Sequence, residues 1–144
     1  MDKALNYMGL ARKAGRIELG EEPVGAAAGA LQAHLVVVAQ DAADHTWRRA
    51  NSFVAGTDCP CIRVDYTKEQ LGMVIGRTSL ALAAFTDPAL ALAFINALAD
   101  PQRYGDVSAQ LGDVTQRLQQ RKSAAKAHQR KKQQGRVRPK RKQH

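Results

Sequence analysis

Residues 35–39 read Leu-Val-Val-Val-Ala, an apolar, β-branched run with no polar residue at alternate positions. A strand with one wet face alternates apolar and polar. An unbroken run fits a strand covered on both faces. Helices must then lie above and below it, which makes the chain an α/β domain with its sheet between helical layers.

The flanking sequence supplies those helices. Leu5, Met8 and Ala11 recur at helical spacing over residues 3–14, and Gly15 is placed to stop the helix. Arg16-Ile17-Glu18-Leu19 alternates as a short half-buried strand does. After Gly20, Glu21-Glu22-Pro23 carries helix-start signals, since acids suit the dipole and proline gives up an N–H that has no helical partner there. The alanine-rich run to His34 continues that helix. Asp41-Ala42-Ala43-Asp44 opens a third, with Ala43, Trp47, Ala50 and Val54 as its stripe and Gly56 as its stop; Arg48 and Arg49 fall off the stripe. Residues 61–65 read as a strand. Thr67 and Gln70 form a capping box for a fourth helix. Leu80 to Phe85 reads as a strand, and Thr86-Asp87-Pro88 starts a fifth helix, which Asp100-Pro101 ends. Helices and strands thus alternate from end to end, with 1–102 as one domain.

Charge divides the chain. Twelve of its 22 Lys and Arg follow Asp113, and no acid does; ten bases and all 13 acids come before, a net of −3. Residues 103–144 read as a basic, mostly disordered tail, in which Leu111, Val114 and Leu118 extend a helix by at most a turn or two. Beyond them nothing apolar offsets ordering entropy. Cations without anions suit a polyanion. Arg121, Lys122, Lys126, Arg130, Lys131, Lys132, Arg136, Arg138, Lys140, Arg141 and Lys142 are the expected phosphate contacts.

Other chemistry finds no foothold. The histidines, at 34, 45, 128 and 144, are scattered, and Asp41 and Asp44 beside His45 read as acids of a helix start. Cys59 and Cys61 lack the spacing and second pair of a metal knuckle and read as structural thiols where a strand begins. No phosphate-cradling glycine loop occurs. No catalytic residue, metal, cofactor or small-molecule substrate is expected. The N-terminus lacks a signal-peptide pattern, and Asp87-Pro88 breaks the most apolar stretch, so the expected setting is cytoplasmic and away from membranes.

Four segments together resemble a known family: Gly9-Leu10-Ala11-Arg12-Lys13-Ala14-Gly15; Leu19-Gly20-Glu21-Glu22; His34 to Ala42; and Leu71-Gly72-Met73-Val74-Ile75-Gly76-Arg77. The span 3–99 resembles the kink-turn RNA-binding L-seven-Ae/L-thirty-e ribosomal protein superfamily, in particular its small bacterial branch. The resemblance implies a three-layer α/β/α sandwich around a four-stranded mixed sheet. It implies that RNA docks on the start of the second helix and on the loop before the fourth strand: Gly20, Glu21, Glu22, Gly72, Gly76, Arg77 and Thr78. Lys13 and Arg16 join them as cations that offset the carboxylates there. The chain departs from the family where an amide or basic residue, a Glu or Gln and a later Lys are usual. It has Glu22, Pro23 and Ala26 instead.

The expected function is recognition of structured, kink-turn-like RNA, ribosomal or ribosome-associated, with the tail adding non-specific affinity. The alternatives are a general ribosome or RNA association factor dominated by the tail, and a protein-interaction module tethered to RNA.

Overall fold

The computed structural model describes the backbone of residues 2–142 and the side chains of residues 2–125. Two units are distinguished, Met1–Gly112 and Asp113–His144. Among the described residues the elements run α1 (Lys3–Lys13), β1 (Ile17–Leu19), α2 (Glu21–Gly29), β2 (Leu35–Val38), α3 (Asp44–Val54), β3 (Cys61–Arg63), α4 (Lys68–Val74), β4 (Leu82–Phe85), α5 (Pro88–Leu98) and α6 (Pro101–Lys142).

Local chemistry sets the boundaries. Asp2 caps α1 by accepting from the Ala4 N–H at 2.9 Å. Gly15, at φ 68°, ends it. The Arg16 N–H reaches the Ala11 carbonyl and the Gly15 N–H reaches Arg12, the paired bonds of a Schellman turn. The Thr67–Gln70 capping box opens α4 as expected, and Asp87 with Pro88 opens α5.

The sheet order is β1-β4-β2-β3. β1 and β2 both pair antiparallel with β4, and β2 pairs parallel with β3, so the sheet is mixed. The two central strands, β2 and β4, are buried at every position. One helical layer holds α2 and α3 packed together; the other holds α1 against α4 and α5. The core runs from Met8 and Ala11 through Val36, Val38, Ala84 and Phe85 to Phe94, whose ring lies 5.2 Å from that of Phe85. This is the three-layer α/β/α architecture around four strands.

Some local expectations move. Asp41 does not belong to α3; its carboxylate accepts the Lys68 N–H at 2.8 Å and caps α4 from across the chain. With α3 starting at Asp44, its buried face holds Thr46, Ala50 and Val54, while Trp47 is half-buried and Ala43 exposed. β4 starts at Leu82, because the Leu80 N–H is taken by the Lys68 carbonyl of α4 and not by a strand. β3 ends at Arg63, although the Val64 N–H still reaches Val38.

The compact unit also runs past residue 102, to Gly112. Tyr104 and Leu111, seven residues apart on one helical face, are buried. The Tyr104 hydroxyl and Arg103 Nη2 each donate to the Arg63 carbonyl at 3.0 Å, and Arg103 Nη1 meets Asp65 at 2.8 Å. The first turns of α6 thereby close the open end of β3. In the second unit, none of residues 113–125 is buried. Residues 103–125, expected to be mostly disordered beyond a turn or two of helix, are helical throughout as part of α6. The side chains of residues 126–144, where the sequence places most tail phosphate contacts, lie outside the described set.

Candidate nucleic-acid interface

Antiparallel pairing of β1 with β4 places the end of one strand beside the beginning of the other. Leu19 faces Ala83, and the Gly20 N–H donates to the Leu82 carbonyl at 3.1 Å. The start of α2 and the loop before β4 therefore meet at one end of the sheet.

Gly20 is the N-cap of α2, at φ 93° and ψ 168°, a conformation that side chains other than glycine's hydrogen strongly disfavour. No side chain caps the helix. Proline 23 has no N–H, and the Val24 N–H closes onto the Gly20 carbonyl. The N–H groups of Glu21 and Glu22 are left as the outward donors of the first turn, on the positive end of the helix dipole.

The loop opposite is built on glycine. A Cβ on Gly72 would stand 2.8 Å from both the Arg77 carbonyl oxygen and the Ser79 nitrogen, so only a bare Cα lets that backbone fold over α4. The Arg77 N–H donates to the Gly72 carbonyl at 2.9 Å, and Gly76 turns the chain at φ 76°. Residues 76–79 are exposed. The result aims Arg77 across the gap: its Nη1 lies 3.9 Å from where a Cβ on Gly20 would stand. A cation is thus set beside the open helix start.

Of the residues the sequence singled out, Gly20, Glu21, Glu22, Gly72, Gly76, Arg77 and Thr78 sit on these two facing segments. Lys13 lies elsewhere, on a groove between α1 and α4 that it shares with Leu10, Met73 and Val74. Arg16 stands at the far end of β1, where its carbonyl accepts the Thr86 N–H. Four residues of strand put it about 13 Å from Gly20 along β1. Arg16 is therefore not positioned to offset the carboxylates by contact. Arg121 and Lys122 are exposed on α6, within the second unit.

Glu21 is not simply presented to solvent. It forms an ion pair with Nε of Arg49, from α3, whose guanidinium lies 5.5 Å from the Phe53 ring centre. Arg49 was visible in the sequence only as a base off the apolar stripe. Which carboxylate it faces depends on how α2 and α3 pack, and no local pattern encodes that.

Other polar groups serve the fold. No cluster of three or more potential metal ligands exists among the described residues, and no described helix is long and apolar enough to cross a membrane. Cys59 and Cys61 are free thiols at the start of β3, both pushed up to about 12, chiefly by burial. Such thiols stay protonated near neutrality and are poor nucleophiles.

No protein-family model matches this sequence, and no curated protein matches it. Solved structures do. A protein of unknown function from Bacillus halodurans aligns with a TM-score of 0.64 at 25% identity, over 69% of this chain and 100% of that one. A 15.5 kD RNA-binding protein of Giardia lamblia aligns with a TM-score of 0.56 at 19% identity, over 75% of this chain and 87% of that one. The chain shares their fold.

Proposed function

We propose that this protein binds structured RNA of the kink-turn kind, ribosomal or ribosome-associated, in the cytoplasm and without catalysing a reaction on it. The observation that carries this reading is the approach of Arg77 to Gly20. It puts a guanidinium against a helix start with two outward N–H donors, which suits a phosphate at a sharply bent backbone. Exposed Glu22 beside it can accept from the amino edge of an unstacked guanine. Two further facts support it: two of the four segments that resemble the L-seven-Ae/L-thirty-e superfamily and its bacterial branch, residues 19–22 and 71–77, fall on these facing segments, and a protein sharing the fold is an RNA-binding protein.

The basic segment after Asp113 adds affinity that does not depend on sequence. A second reading, in which that segment dominates and the protein is a general ribosome or RNA association factor, draws on the same charge split. Crosslinking the protein to RNA in cells and sequencing the bound fragments separates the two. Enrichment of bent, G·A-containing sites is expected from the first. Reads spread in proportion to RNA abundance would favour the second. A stable protein complex surviving nuclease treatment would favour a protein-interaction module instead.

A further inference from the structure

We infer that Arg49 of α3 is a phosphodiester contact of this interface, held in position by Glu21; the inference rests on the RNA reading above. α2 has no cation of its own, its residues being Glu-Glu-Pro-Val-Gly-Ala-Ala-Ala-Gly. The shallow cleft beside it is lined by Glu21, Glu22, Gly25, Ala26, Arg49 and Phe53, two acids and one base. A nucleic-acid backbone running along α2 meets two carboxylates there, and Arg49 is the cation of the lining that can face it.

The side chain is built to do so. A Cβ on Gly25 would stand 3.0 Å from the Phe53 ring, so the ring is seated directly on α2 and makes a fixed floor for the Arg49 guanidinium. Glu21 holds the guanidinium by Nε. The two terminal nitrogens form the other end of the planar group, the fork that phosphate oxygens accept in pairs. Arg49 is 60% exposed, which leaves that fork open to a ligand. The pair also turns the Glu21 carboxylate toward a cation and so limits its repulsion of RNA. With Arg77 beside Gly20 and Arg49 on Glu21, two arginines stand by the start of α2, one from the loop before β4 and one from α3.

The test uses the full chain and a kink-turn RNA, with affinity measured across a range of salt. Arg49→Gln is expected to weaken binding about five- to tenfold and to lower the log–log salt slope by about 0.7–0.9, the loss of one phosphate contact. Arg48→Gln removes the same charge from the next position on α3, which does not line the cleft, and is expected to leave the slope unchanged. Arg49→Lys keeps the charge without the fork, so the slope returns but only part of the affinity does. Circular dichroism melting checks folding; if Arg49→Gln melts early, Arg49→Lys carries the test, and wild-type affinity there overturns the inference. Equal effects of Arg49→Gln and Arg48→Gln, or a wild-type slope for Arg49→Gln, would also overturn it. If the unaltered chain shows no preference for the kink-turn RNA, the RNA reading fails first, an outcome visible before any variant is made.

Discussion

The backbone at Arg77 rests directly on Gly72: a Cβ on Gly72 would meet the Arg77 carbonyl oxygen at 2.8 Å, and the Arg77 N–H is bonded back to Gly72 at 2.9 Å. Both neighbours are backbone atoms and cannot swing aside. Gly72→Ala is therefore expected to destabilise the protein by about 2–3 kcal/mol, seen as a lower denaturation midpoint. It should also displace Arg77 and weaken RNA binding. Gly29→Ala, where a Cβ meets nothing within 4 Å, is the matched control and should leave binding intact.

Gly20→Ala tests the other side of the interface. At φ 93° an alanine is strained by about 1–3 kcal/mol, although its Cβ would make only ordinary contact with Arg77. The expected result is a chain that stays folded but whose helix start is displaced, with lower affinity for structured RNA and an unchanged contribution from the basic segment. Filter binding with a kinked RNA and with single-stranded RNA separates the two effects.

Leu31 ends α2 in the left-handed region at φ 58°, with its side chain 74% exposed. The Gln32 N–H bonds to Ala27 and the Leu31 N–H to Ala28, a Schellman turn completed by a residue that fits it poorly. Leu31→Gly should relieve the strain at little cost in packing, stabilising the protein by about 1 kcal/mol in chemical denaturation. Loss of stability would contradict this.

Burial raises the thiols of Cys59 and Cys61 to about 12, above the value of 9.0 for a free thiol. A group whose folded value is raised binds more protons when folded in the window between the two. The stability it contributes is present below about pH 9 and is lost as pH rises toward 12. Denaturation midpoints should fall across that window, and the fall should lessen in Cys59→Ser/Cys61→Ser. At pH 8 the native protein should react slowly with an alkylating reagent and rapidly once unfolded.

How far the sequence revealed these features depends on the range of the interactions behind them. Gly15, the Thr67–Gln70 box and Asp87-Pro88 act within one turn, and the apolar run at 35–38 reports its own burial; each was legible. Asp41 looked like a first-turn acid of α3, because a carboxylate three residues before a helix is locally indistinguishable from one that caps a helix 27 residues away. The start of α6 was hidden for a related reason. Tyr104 and Leu111 are sparse among polar residues, and it is the Arg63 carbonyl and the Asp65 carboxylate, some forty residues back, that hold Arg103 and Tyr104. The candidate interface divides the same way. Gly20, Gly72 and Arg77 were reached through the segments that resemble the family, while Arg49 gains its partner only through helix packing.

That packing makes the domain boundary testable. A chain ending at residue 112 should melt cooperatively like the full-length protein, whereas one ending at 102 loses the buried Tyr104 and Leu111. Leu111→Ala in the full chain should cost about 2–5 kcal/mol.

The central claim is that the α2 start and the loop before β4 recognise the shape of an RNA, with charge alone left to the segment after Asp113. The most direct measurement compares affinities of the full chain for a kink-turn RNA and for the same RNA with its G·A pairs replaced, at near-physiological salt. The account expects clear preference for the kinked RNA, with the preference reduced by Arg77→Gln. Equal affinity for the two RNAs would contradict it.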